Sequence, residues 1–500
     1  MKMKLRLSCL YTLTKEVSEK LVYPILKDAS EVLERGAPPG EGAKIVGKSL
    51  SKDKLTVVIE SGTYVRPHDA AFRLKNFLSQ KLGKEHHVGV KEIVGKLYEI
   101  IFDVPATPSE EVKLPYAKSI SFKGKTCTLI LEDVSEEFLQ KNTVDRMISL
   151  IKEKVEFQQY GTREEHHKII YEGSTKPMHF TEDPSQELIN RKWVKRTPHR
   201  NQFIFGPQIT ELAEAVKRAY VDVIYKPLGF VEMMFPKIVD WSIWKKSGHA
   251  RALYHGGFNP YLFITPKTAD PKAWEEVCDK IKITGEIPSE DIMDLLEPPR
   301  GGLAFAQCPP FWTYLEGETV ASESLPIKVF DWSGPTYRYE SGGAHGFERV
   351  DELHRIETLW VGTPDQVQEI NLKLREKFRV LMEEVLELNI RQALVTPWFM
   401  EQKGVLDESV EGGAGTVDYE AILPYNGSWL EVQNCSNNGD SYPKAFNAKA
   451  QKGELASGCA GGSFERYLSA FLAQKGFNPD DWPKKFKKYI TEIPEDVKFL

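Results

Sequence analysis

Two arginines and a glutamate are closely spaced in the segment 337–349, which also contains a run of glycines. Arg338 and Glu340 are two residues apart, so on an extended strand their side chains point to the same face. Arg349 follows the glycine-rich turn and is predicted to lie on the returning strand. A guanidinium group grips phosphate oxygens through paired hydrogen bonds, which suits a nucleotide held between two arginines with a carboxylate reading its amino edge. An isolated Arg-x-Glu would more often belong to a surface hairpin, so other segments of the chain must show whether this one binds a nucleotide.

Two cysteines and a glutamate are candidate ligands for a metal ion if the fold brings them into one pocket. Cys308 follows a strand-like run and precedes two prolines, whereas Cys459 lies just before a glycine-rich turn. Glu357 comes at the end of the predicted returning strand. Two thiolates and one carboxylate suit Zn²⁺ and leave its fourth position open, although a lone cysteine is more commonly a small buried apolar residue. Cys435 lies beside Asn434 on one predicted strand, and alternation turns it to the opposite face, so we expect it in the core.

The composition is that of a globular protein without a membrane-spanning segment. The chain has 500 residues, 28% of them charged, and no apolar run approaches the ~20 residues that a membrane span needs. Its first ten residues alternate charged and apolar side chains, unlike the continuous apolar block of a signal peptide. The six cysteines include no CxxC pair, which favours free thiols in a reducing cytoplasm. With a net charge of -6, nucleic acid would have to bind at local basic patches.

The hydrophobic pattern divides the chain into two modules joined by a polar segment. Residues 1–165 combine predicted strands and helices, beginning with a strand of alternating apolar residues. Residues 166–205 are polar and contain prolines, and they are predicted to form a linker. Residues 206–500 contain strands separated by turns more often than by crossover helices, which favours an antiparallel sheet flanked by helices. A helix-turn-helix-like insert is predicted at about 270–299.

Three segments, in order along the chain, resemble the motifs of the class II aminoacyl-tRNA synthetases. Residues 208–236 are similar to the first motif, a long dimer-interface helix followed by a strand that ends in proline. Arg338, Glu340 and Arg349 fit the second motif. The segment 461–466, Gly-Gly-Ser-Phe-Glu-Arg, fits the third. The resemblance implies an α+β fold, with a class II core of antiparallel β-sheet flanked by helices and an N-terminal α/β domain that binds tRNA.

Within that class, the chain resembles the methanogenic-archaeal, zinc-dependent type of seryl-tRNA synthetase. The segment 431–437, Glu-Val-Gln-Asn-Cys-Ser-Asn, is similar to the strand that seryl enzymes place under the adenylate, and residues 346–357 match their second motif in spacing. The common seryl enzymes begin with a helical coiled coil, whereas residues 1–165 lack sustained heptads. This departure, together with Cys308, Glu357 and Cys459, points to the rarer type. The resemblance implies a homodimer that uses ATP, L-serine and tRNA(Ser), and it leaves open whether tRNA(Sec) is charged as well.

The resemblance also implies a role for each residue of the site. The serine carboxylate attacks the α-phosphate of ATP and the tRNA ribose then attacks the adenylate, so the protein positions substrates and stabilises charge. The expected catalytic residues are Arg338, Arg349 and Arg466. The residues expected to bind ATP are Arg338, Tyr339, Glu340, Arg349, Val350, Glu431 and Arg466, with Glu431 holding a Mg²⁺ ion. The residues expected around serine are Ala306, Arg338, Arg355, Glu357, Trp398, Gln402 and Asn434, and those around Zn²⁺ are Cys308, Glu357 and Cys459.

Two other functions stay open from the sequence. A related zinc-dependent ligase that loads amino acids onto a carrier protein resembles the same core, but lacks the N-terminal module. A non-catalytic RNA-binding paralogue would be expected to have lost a charged residue of the site. Those residues are Arg338, Arg349, Glu431 and Arg466, and all are present. For RNA contact near the second module, the basic segment 191–196 is the best candidate, because it combines charge with the base-stacking ring of Trp193.

Overall fold

The computed structural model describes residues 3–159, 167–253, 259–339, 346–395 and 415–495. The chain divides into two compact units, Met1–Glu164 and Glu165–Leu500. None of the helices within the described ranges is both long and apolar enough to cross a membrane.

The first unit is built on an antiparallel sheet. Its strands are β1 (Lys4–Leu13), β2 (Lys44–Ser51), β3 (Lys54–Ser61), β4 (Val90–Asp103), β5 (Ser119–Lys123) and β6 (Thr126–Ser135), in the order β2-β3-β1-β4-β6-β5. Its helices are α1 (Glu19–Lys27), α2 (Ser30–Glu34), α3 (Pro67–His86), α4 (Glu136–Gln140) and α5 (Thr143–Gln159). In the central strand β1, every second residue from Leu5 to Leu13 is fully buried, whereas Lys4 and Arg6 are exposed. The alternation in the sequence is therefore the pattern of a strand with one buried face.

The second unit contains a large sheet and several short hairpins. Its strands are β7 (Lys168–Glu172), β8 (Val194–Arg196), β9 (Phe203–Phe205), β10 (Val231–Glu232), β11 (Ile238–Asp240), β12 (Leu262–Phe263), β13 (Gly301–Leu303), β14 (Thr319–Val320), β15 (Ile327–Asp331), β16 (Pro335–Tyr337), β17 (Glu352–Gly362), β18 (Ile390–Val395), β19 (Gly415–Leu423), β20 (Ser428–Gly439), β21 (Lys449–Ala450) and β22 (Ala456–Ser463). In the described ranges, nine of them form one sheet with the order β10-β15-β17-β22-β20-β19-β18-β7, and β16 pairs with β17. All neighbours are antiparallel except β10 and β15, as expected for a class II core.

The second unit also contains helices of different lengths. They are α6 (Pro184–Asn190), α7 (Pro207–Tyr220), α8 (Lys226–Leu228), α9 (Trp241–Lys246), α10 (Glu275–Thr284), α11 (Ser289–Asp294), α12 (Cys308–Trp312), α13 (Pro364–Arg379), α14 (Ser441–Ala445), α15 (Phe464–Lys475) and α16 (Lys484–Lys487). π-helical turns at Val221–Tyr225 and Val380–Val385 continue α7 and α13.

The two faces of the large sheet pack against different helices. One face buries Ile356, Trp360 and Cys435 against α7, α13 and α15. The prediction that Cys435 lies in the core is thus confirmed. The opposite face packs Leu359 and Val361 of β17 into a smaller core with α12 and α14. Glu357 of β17 and Cys459 of β22 also lie on this second face.

The segment 166–205, for which the sequence predicts a linker, contains β7, α6, β8 and β9. β7 pairs with β18 and extends the large sheet, because an edge strand offers unpaired N–H and C=O groups. Pro184, which suggests a break in the sequence, occupies the first turn of α6, where a missing N–H costs nothing. The linker prediction therefore does not hold for these residues.

Local sequence signals set the ends of several helices. The Thr363 hydroxyl accepts a hydrogen bond from Gln366 N, and the Gln366 side chain accepts one from Thr363 N, so a capping box begins α13. Pro207 occupies the first turn of α7. Gly285 adopts a φ of +72°, which ends α10 and turns the chain toward α11 within the insert at about 270–299.

Candidate functional site

A row of residues crosses three neighbouring strands of the large sheet, on the face away from α7, α13 and α15. Glu357 of β17 lies opposite Gly461 of β22, and Gly461 lies opposite Asn434 of β20. Asn434 Oδ1 accepts a hydrogen bond from Gly461 N at 2.9 Å. Cys459, two residues before Gly461, points to the same face and is a diagonal neighbour of Glu357. The antiparallel register thus brings residues from distant parts of the sequence into one patch.

Cys308, Glu357 and Cys459 form a group whose ligand atoms all lie within 4.8 Å of one another. Cys308 begins α12, and both Cys308 and Glu357 are buried. Bonds of about 2.0–2.3 Å from one ion to sulfur and oxygen need donors within about 4 Å of one another, which small side-chain shifts from this arrangement would achieve. Within the described ranges, Glu357 Oε2 is a buried oxygen without a hydrogen-bond partner, and a cation would satisfy it. The three residues therefore fit a metal ion.

Each of the two sulfur atoms has a polar neighbour from the segment where β20 ends and α14 begins. The Tyr442 hydroxyl lies 3.5 Å from Cys308 Sγ, and Asn438 Nδ2 donates a hydrogen bond to Cys459 Sγ at 3.4 Å. Both Tyr442 and Asn438 are buried. The Tyr442 ring stacks on Trp312, with 5.5 Å between the centroids and 4° between the planes. Hydrogen bonds of this kind orient metal ligands and tune their basicity.

Glu357 is buried among other charged groups. Arg355 Nε lies 3.0 Å from Glu357 Oε2, although without hydrogen-bond geometry, and Asp331 lies directly opposite on β15. Burial raises the pKa of Glu357 to about 7, while the Arg355 guanidinium opposes this rise. A hydrogen bond with the Cys459 thiol, together with burial, raises the pKa of Cys308 well above its usual value. Metal binding at this group must therefore release protons.

Glu431 of β20 is surrounded by three arginines. Arg466, in the first turn of α15, donates hydrogen bonds from Nη1 to the backbone oxygen and to Oε2 of Glu431, both at 3.0 Å. Burial raises the pKa of Glu431, but the guanidiniums of Arg466, Arg338 and Arg355 outweigh burial and hold the pKa below its usual range. Three guanidiniums around one carboxylate leave a net positive charge, which suits phosphate oxygens.

A β-bulge allows Glu431 and Asn434 to share a face of the sheet. Glu431 and Gln433 pair with consecutive residues of β19, which leaves Val432 as an extra residue in β20. Gln433 turns to the core, where its Oε1 accepts a hydrogen bond from the Tyr220 hydroxyl. Asn434 then faces the site together with Glu431.

The glycines of β22 make room for side chains on both faces. A Cβ atom on Gly461 would collide with the Arg355 guanidinium on the site face. A Cβ atom on Gly458 would collide with the ring of Trp360 in the core. At Gly458 and Gly461, β22 therefore lacks side chains where those of β17 cross it closely.

Arg338 directly follows β16 and is held through its backbone. Arg338 N donates to the carbonyl of Asp351 at 2.8 Å, and Tyr339 N donates to the carbonyl of Asn259 at 2.7 Å. The buried Asp351 carboxylate binds Nε and Nη2 of Arg200 at 3.0 and 3.1 Å. The Arg200 guanidinium in turn lies 3.8 Å from the centre of the Tyr339 ring.

Arg349 lies before the returning strand and not on it, so that part of the sequence prediction is wrong. β17 begins at Glu352, and Arg349 is exposed in a turn that starts at Gly346, with a φ of +70°. The turn is fixed by burial of Phe347, whose N–H donates to the Ser185 hydroxyl at 2.9 Å. The spacing of the charged residues predicts a strand here, because that spacing contains no signal for the burial of Phe347.

The remaining predicted residues are distributed as follows in the second unit. Ala306 is half-buried against the smaller core that contains Cys308. Val350 is buried, and Tyr339 is 43% exposed. Glu340, Trp398 and Gln402 lie outside the described residues.

A buried carboxylate that the sequence analysis does not single out joins β17 to α15. Glu465 is fully buried and accepts hydrogen bonds from His354 N at 2.9 Å, His354 Nδ1 at 2.7 Å and Ser463 Oγ at 2.9 Å. Burial lowers the pKa of His354, but the Glu465 carboxylate raises it above its ordinary value. His354 and Glu465 directly precede Arg355 and Arg466, so this contact sets the spacing of two arginines of the site. The signal in the sequence that could have indicated this contact is the acidic residue next to Arg466.

Trp193, predicted to stack on bases, is buried. It is 5% exposed, and its ring packs edge-on against Phe477 with 5.4 Å between the centroids. Lys195 and Arg196 beside it are exposed. The stacking role of Trp193 is therefore wrong, because the apolar ring belongs to the core under the basic segment.

Comparison with known proteins gives matches for both units. Residues 1–153 match a family described as a tRNA-binding domain, and residues 302–475 match the tRNA synthetase class II core domain (G, H, P, S and T). A type-2 serine–tRNA ligase of Methanococcoides burtonii is 46% identical, over 94% of this chain and 93% of that protein. One of Methanothrix thermoacetophila is 45% identical, over 95% of both proteins. The chain belongs to the type-2 serine–tRNA ligases. It is therefore a ligase, and the family predicted from its motifs is confirmed.

A solved structure resembles this serine–tRNA ligase along its full length. It is the crystal structure of A. aeolicus tRNASec in complex with M. kandleri SerRS, with a TM-score of 0.86 and 30% identity. The match covers 100% of this chain and 99% of that chain. The predicted α+β fold, with a class II core and an N-terminal tRNA-binding domain, is thereby confirmed.

Proposed function

We propose that this protein joins L-serine and ATP into seryl-adenylate and transfers serine to tRNA(Ser), with a Zn²⁺ ion bound by Cys308, Glu357 and Cys459. One observation carries the proposal: the group that fits a metal lies on the same sheet face as the arginine-surrounded Glu431. The serine carboxylate must reach the α-phosphate of ATP, so the sites for serine and ATP must adjoin. Adjacent binding sites on β17, β22 and β20 meet that requirement.

The metal-binding group is proposed as the serine site. Cys308, Glu357 and Cys459 would hold the zinc ion, which would act as a Lewis acid for the α-amino group of serine. Asn434, held toward the site by the Val432 bulge, then hydrogen-bonds the serine hydroxyl. A pocket built to bond a hydroxyl rejects analogues without it by about 10⁴-fold, whereas a merely small pocket separates serine from alanine poorly. The pocket wall is assigned to Ala306 and Arg355, with Trp398 and Gln402 as proposed contacts over serine.

The arginines are proposed to bind ATP and to stabilise the transition state. Arg338 holds the α-phosphate and the serine carboxylate, so that charge developing on the phosphate meets a guanidinium already in place. Arg466 and Arg349 bind the outer phosphates and stack on the base. Glu431 stays ionised among the arginines and holds ATP through a Mg²⁺ ion. The adenine contacts are assigned to Tyr339, Glu340 and Val350.

The tRNA partner is assigned to the first unit, with a tRNA-binding domain at 1–165 and a catalytic domain at 206–500. The match of residues 1–153 to a tRNA-binding family supports this assignment and argues against a carrier-protein ligase. M. kandleri SerRS was crystallised with tRNASec, which supports tRNA(Sec) as a second substrate here. The six cysteines are all free, which fits work in the reducing cytoplasm.

We propose a homodimer that pairs through the edge of the large sheet at β10. Val231 of this strand is 62% exposed, and Met234 just after it is 78% exposed. Exposed apolar residues at an edge strand are typical of an interface. Light scattering at micromolar concentration tests this: the parent should be dimeric and Met234→Glu monomeric, and a monomeric parent would refute the dimer.

Pyrophosphate exchange with each standard amino acid, before and after chelation, tests the reaction and the metal together. We expect exchange with serine only, lost on chelation and restored by Zn²⁺. Exchange that favours alanine or glycine, or that survives metal removal, would contradict the proposal. Cys459→Ser should lose bound zinc, whereas Cys435→Ser, on the other face of the same sheet, should keep it. Equal zinc content in the two variants would defeat the ligand assignment.

A further inference from the structure

The hairpin formed by β8 and β9, together with the turn before it, is strongly positively charged. We name residues 191–205 the basic hairpin. Its first ten residues contain the five basic residues Arg191, Lys192, Lys195, Arg196 and Arg200, and residues 191–205 contain no Asp or Glu. The whole chain, by contrast, has a net charge of -6. Arg191 pairs with Glu187 at 2.6 Å, while Lys195, Arg196 and His199 are exposed. This local charge is opposite in sign to that of the protein.

The basic hairpin is fixed to the segment that leads into β17. Asp351 N donates to the carbonyl of Asn201 at 3.2 Å, and the buried Asp351 carboxylate binds Arg200. On the other side, Phe203 and Phe205 pack against the buried Phe347 at 5.6 and 5.2 Å between centroids. The basic side chains are therefore held at a set position relative to the second motif.

The tip of the basic hairpin ends on an aromatic surface. The Arg200 guanidinium covers the Tyr339 ring at 3.8 Å, and the Tyr261 ring stands edge-on to Tyr339 at 6.1 Å. The Tyr261 hydroxyl donates to Asp351 at 2.5 Å and lies 3.1 Å from His199 Nε2. A buried carboxylate thus orients both the arginine and the tyrosine. Tyr339 is next to Arg338, so this surface borders the proposed adenylate site.

We propose that the basic hairpin is a binding surface for the single-stranded 3′ end of tRNA, which it guides over Arg200 and Tyr261 to the adenylate. The proposal rests on the proposed function, because that function requires a ribose hydroxyl to reach Arg338. A polynucleotide strand offers the two features that this surface complements: phosphates for exposed Lys and Arg, and flat bases for an arginine–tyrosine stack. Residues 1–153 match a tRNA-binding family, but the strand that accepts serine must also contact the catalytic unit.

The test separates the two steps of the reaction in the full-length enzyme. Lys195→Ala/Arg196→Ala removes two exposed charges that are not assigned to serine or ATP. Pyrophosphate exchange, which needs no tRNA, should stay within twofold of the parent. kcat/KM for tRNA(Ser) should fall about tenfold or more, and the slope of log(kcat/KM) against log salt should shrink by about one per lost phosphate contact. Lys484→Ala/Lys488→Ala removes two exposed charges from another lysine-rich run as a matched control.

Three results would overturn the proposal. Unchanged kcat/KM and salt slope for tRNA would mean that the strand does not touch these side chains. An equal loss in the control pair would assign the effect to net charge. A parallel loss of exchange and tRNA charging would indicate a structural role for the hairpin. Failure of the proposed function is distinct, because the parent itself would then show no serine-dependent exchange.

Discussion

Removing the hydroxyl of Tyr442 should weaken metal binding without disturbing the fold. The hydroxyl lies 3.5 Å from Cys308 Sγ, and the ring is held by stacking on Trp312 with only 4° between the planes. Tyr442→Phe keeps this stack and the apolar contacts of the smaller core. The substitution therefore removes one hydrogen bond to a sulfur ligand and little else.

The expected loss follows from the role of such outer hydrogen bonds. When a donor to a metal ligand is removed, affinity typically falls 10–100-fold, which corresponds to about 1.4–2.7 kcal/mol. A hydrogen bond to a charged group contributes about 1.5–3 kcal/mol, which gives the same range for a thiolate acceptor. Cys459 keeps its own donor, Asn438, so the effect should stay near one bond and not abolish binding.

Competition with a chromophoric chelator measures the zinc dissociation constant directly, without reference to catalysis. Tyr419→Phe is the matched control, because Tyr419 is also buried and its hydroxyl donates to the Arg375 carbonyl at 2.9 Å on the other face of the sheet. We expect the control to bind zinc like the parent. A dissociation constant within twofold of the parent for Tyr442→Phe, or an equal loss in Tyr419→Phe, would refute the reasoning.

Three further predictions concern the site and the contacts that support it. Burial raises the pKa of Glu357 from 4.5 to about 7, so the metal-free protein should lose about 3 kcal/mol of stability as the pH rises from 4.5 through 7. Urea unfolding of chelated protein should show this slope, and Glu357→Gln should lack it; equal slopes would contradict the assignment. Gly461→Ala should displace the Arg355 guanidinium, reducing serine-dependent exchange at least tenfold and stability by about 1–3 kcal/mol; parental exchange would show that Arg355 is not needed there. Glu465→Gln should lower the free energy of unfolding by about 2 kcal/mol because it weakens the hydrogen bonds from His354, and an unchanged urea midpoint would count against that contact.

The metal-binding group could be predicted because the family resemblance adds to the donor chemistry of each residue. Thiols and a carboxylate suit Zn²⁺, and the resemblance to the seryl enzymes selects Cys308, Glu357 and Cys459, which the fold brings within 4.8 Å of one another. Their hydrogen-bond partners were not predictable in the same way. Asn438 and Tyr442 are common residue types in a segment without a motif, and only the turn from β20 into α14 brings them to the sulfur atoms.

Errors arose where tertiary contacts override a local pattern. Trp193 stands among basic residues, which resembles an RNA-stacking segment, yet its ring fills the core beside Phe477. Arg349 has the spacing of a strand residue, but the anchoring of Phe347 on Ser185 forms a turn there. In both cases burying a large aromatic ring stabilises the fold more than keeping the local pattern regular would.

The bulge at Val432 could have been inferred by combining the family resemblance with the alternation of side chains along a strand. Strict alternation along β20 correctly turns Cys435 away from Asn434, but it also turns Glu431 to the same side as Cys435. The resemblance requires Glu431 and Asn434 to act in one site. Two residues three apart on one strand share a face only if an extra residue lies between them, and the pairing with β19 contains that residue at Val432. The site therefore requires the bulge, whereas strand alternation alone predicts that Glu431 and Asn434 lie on opposite faces.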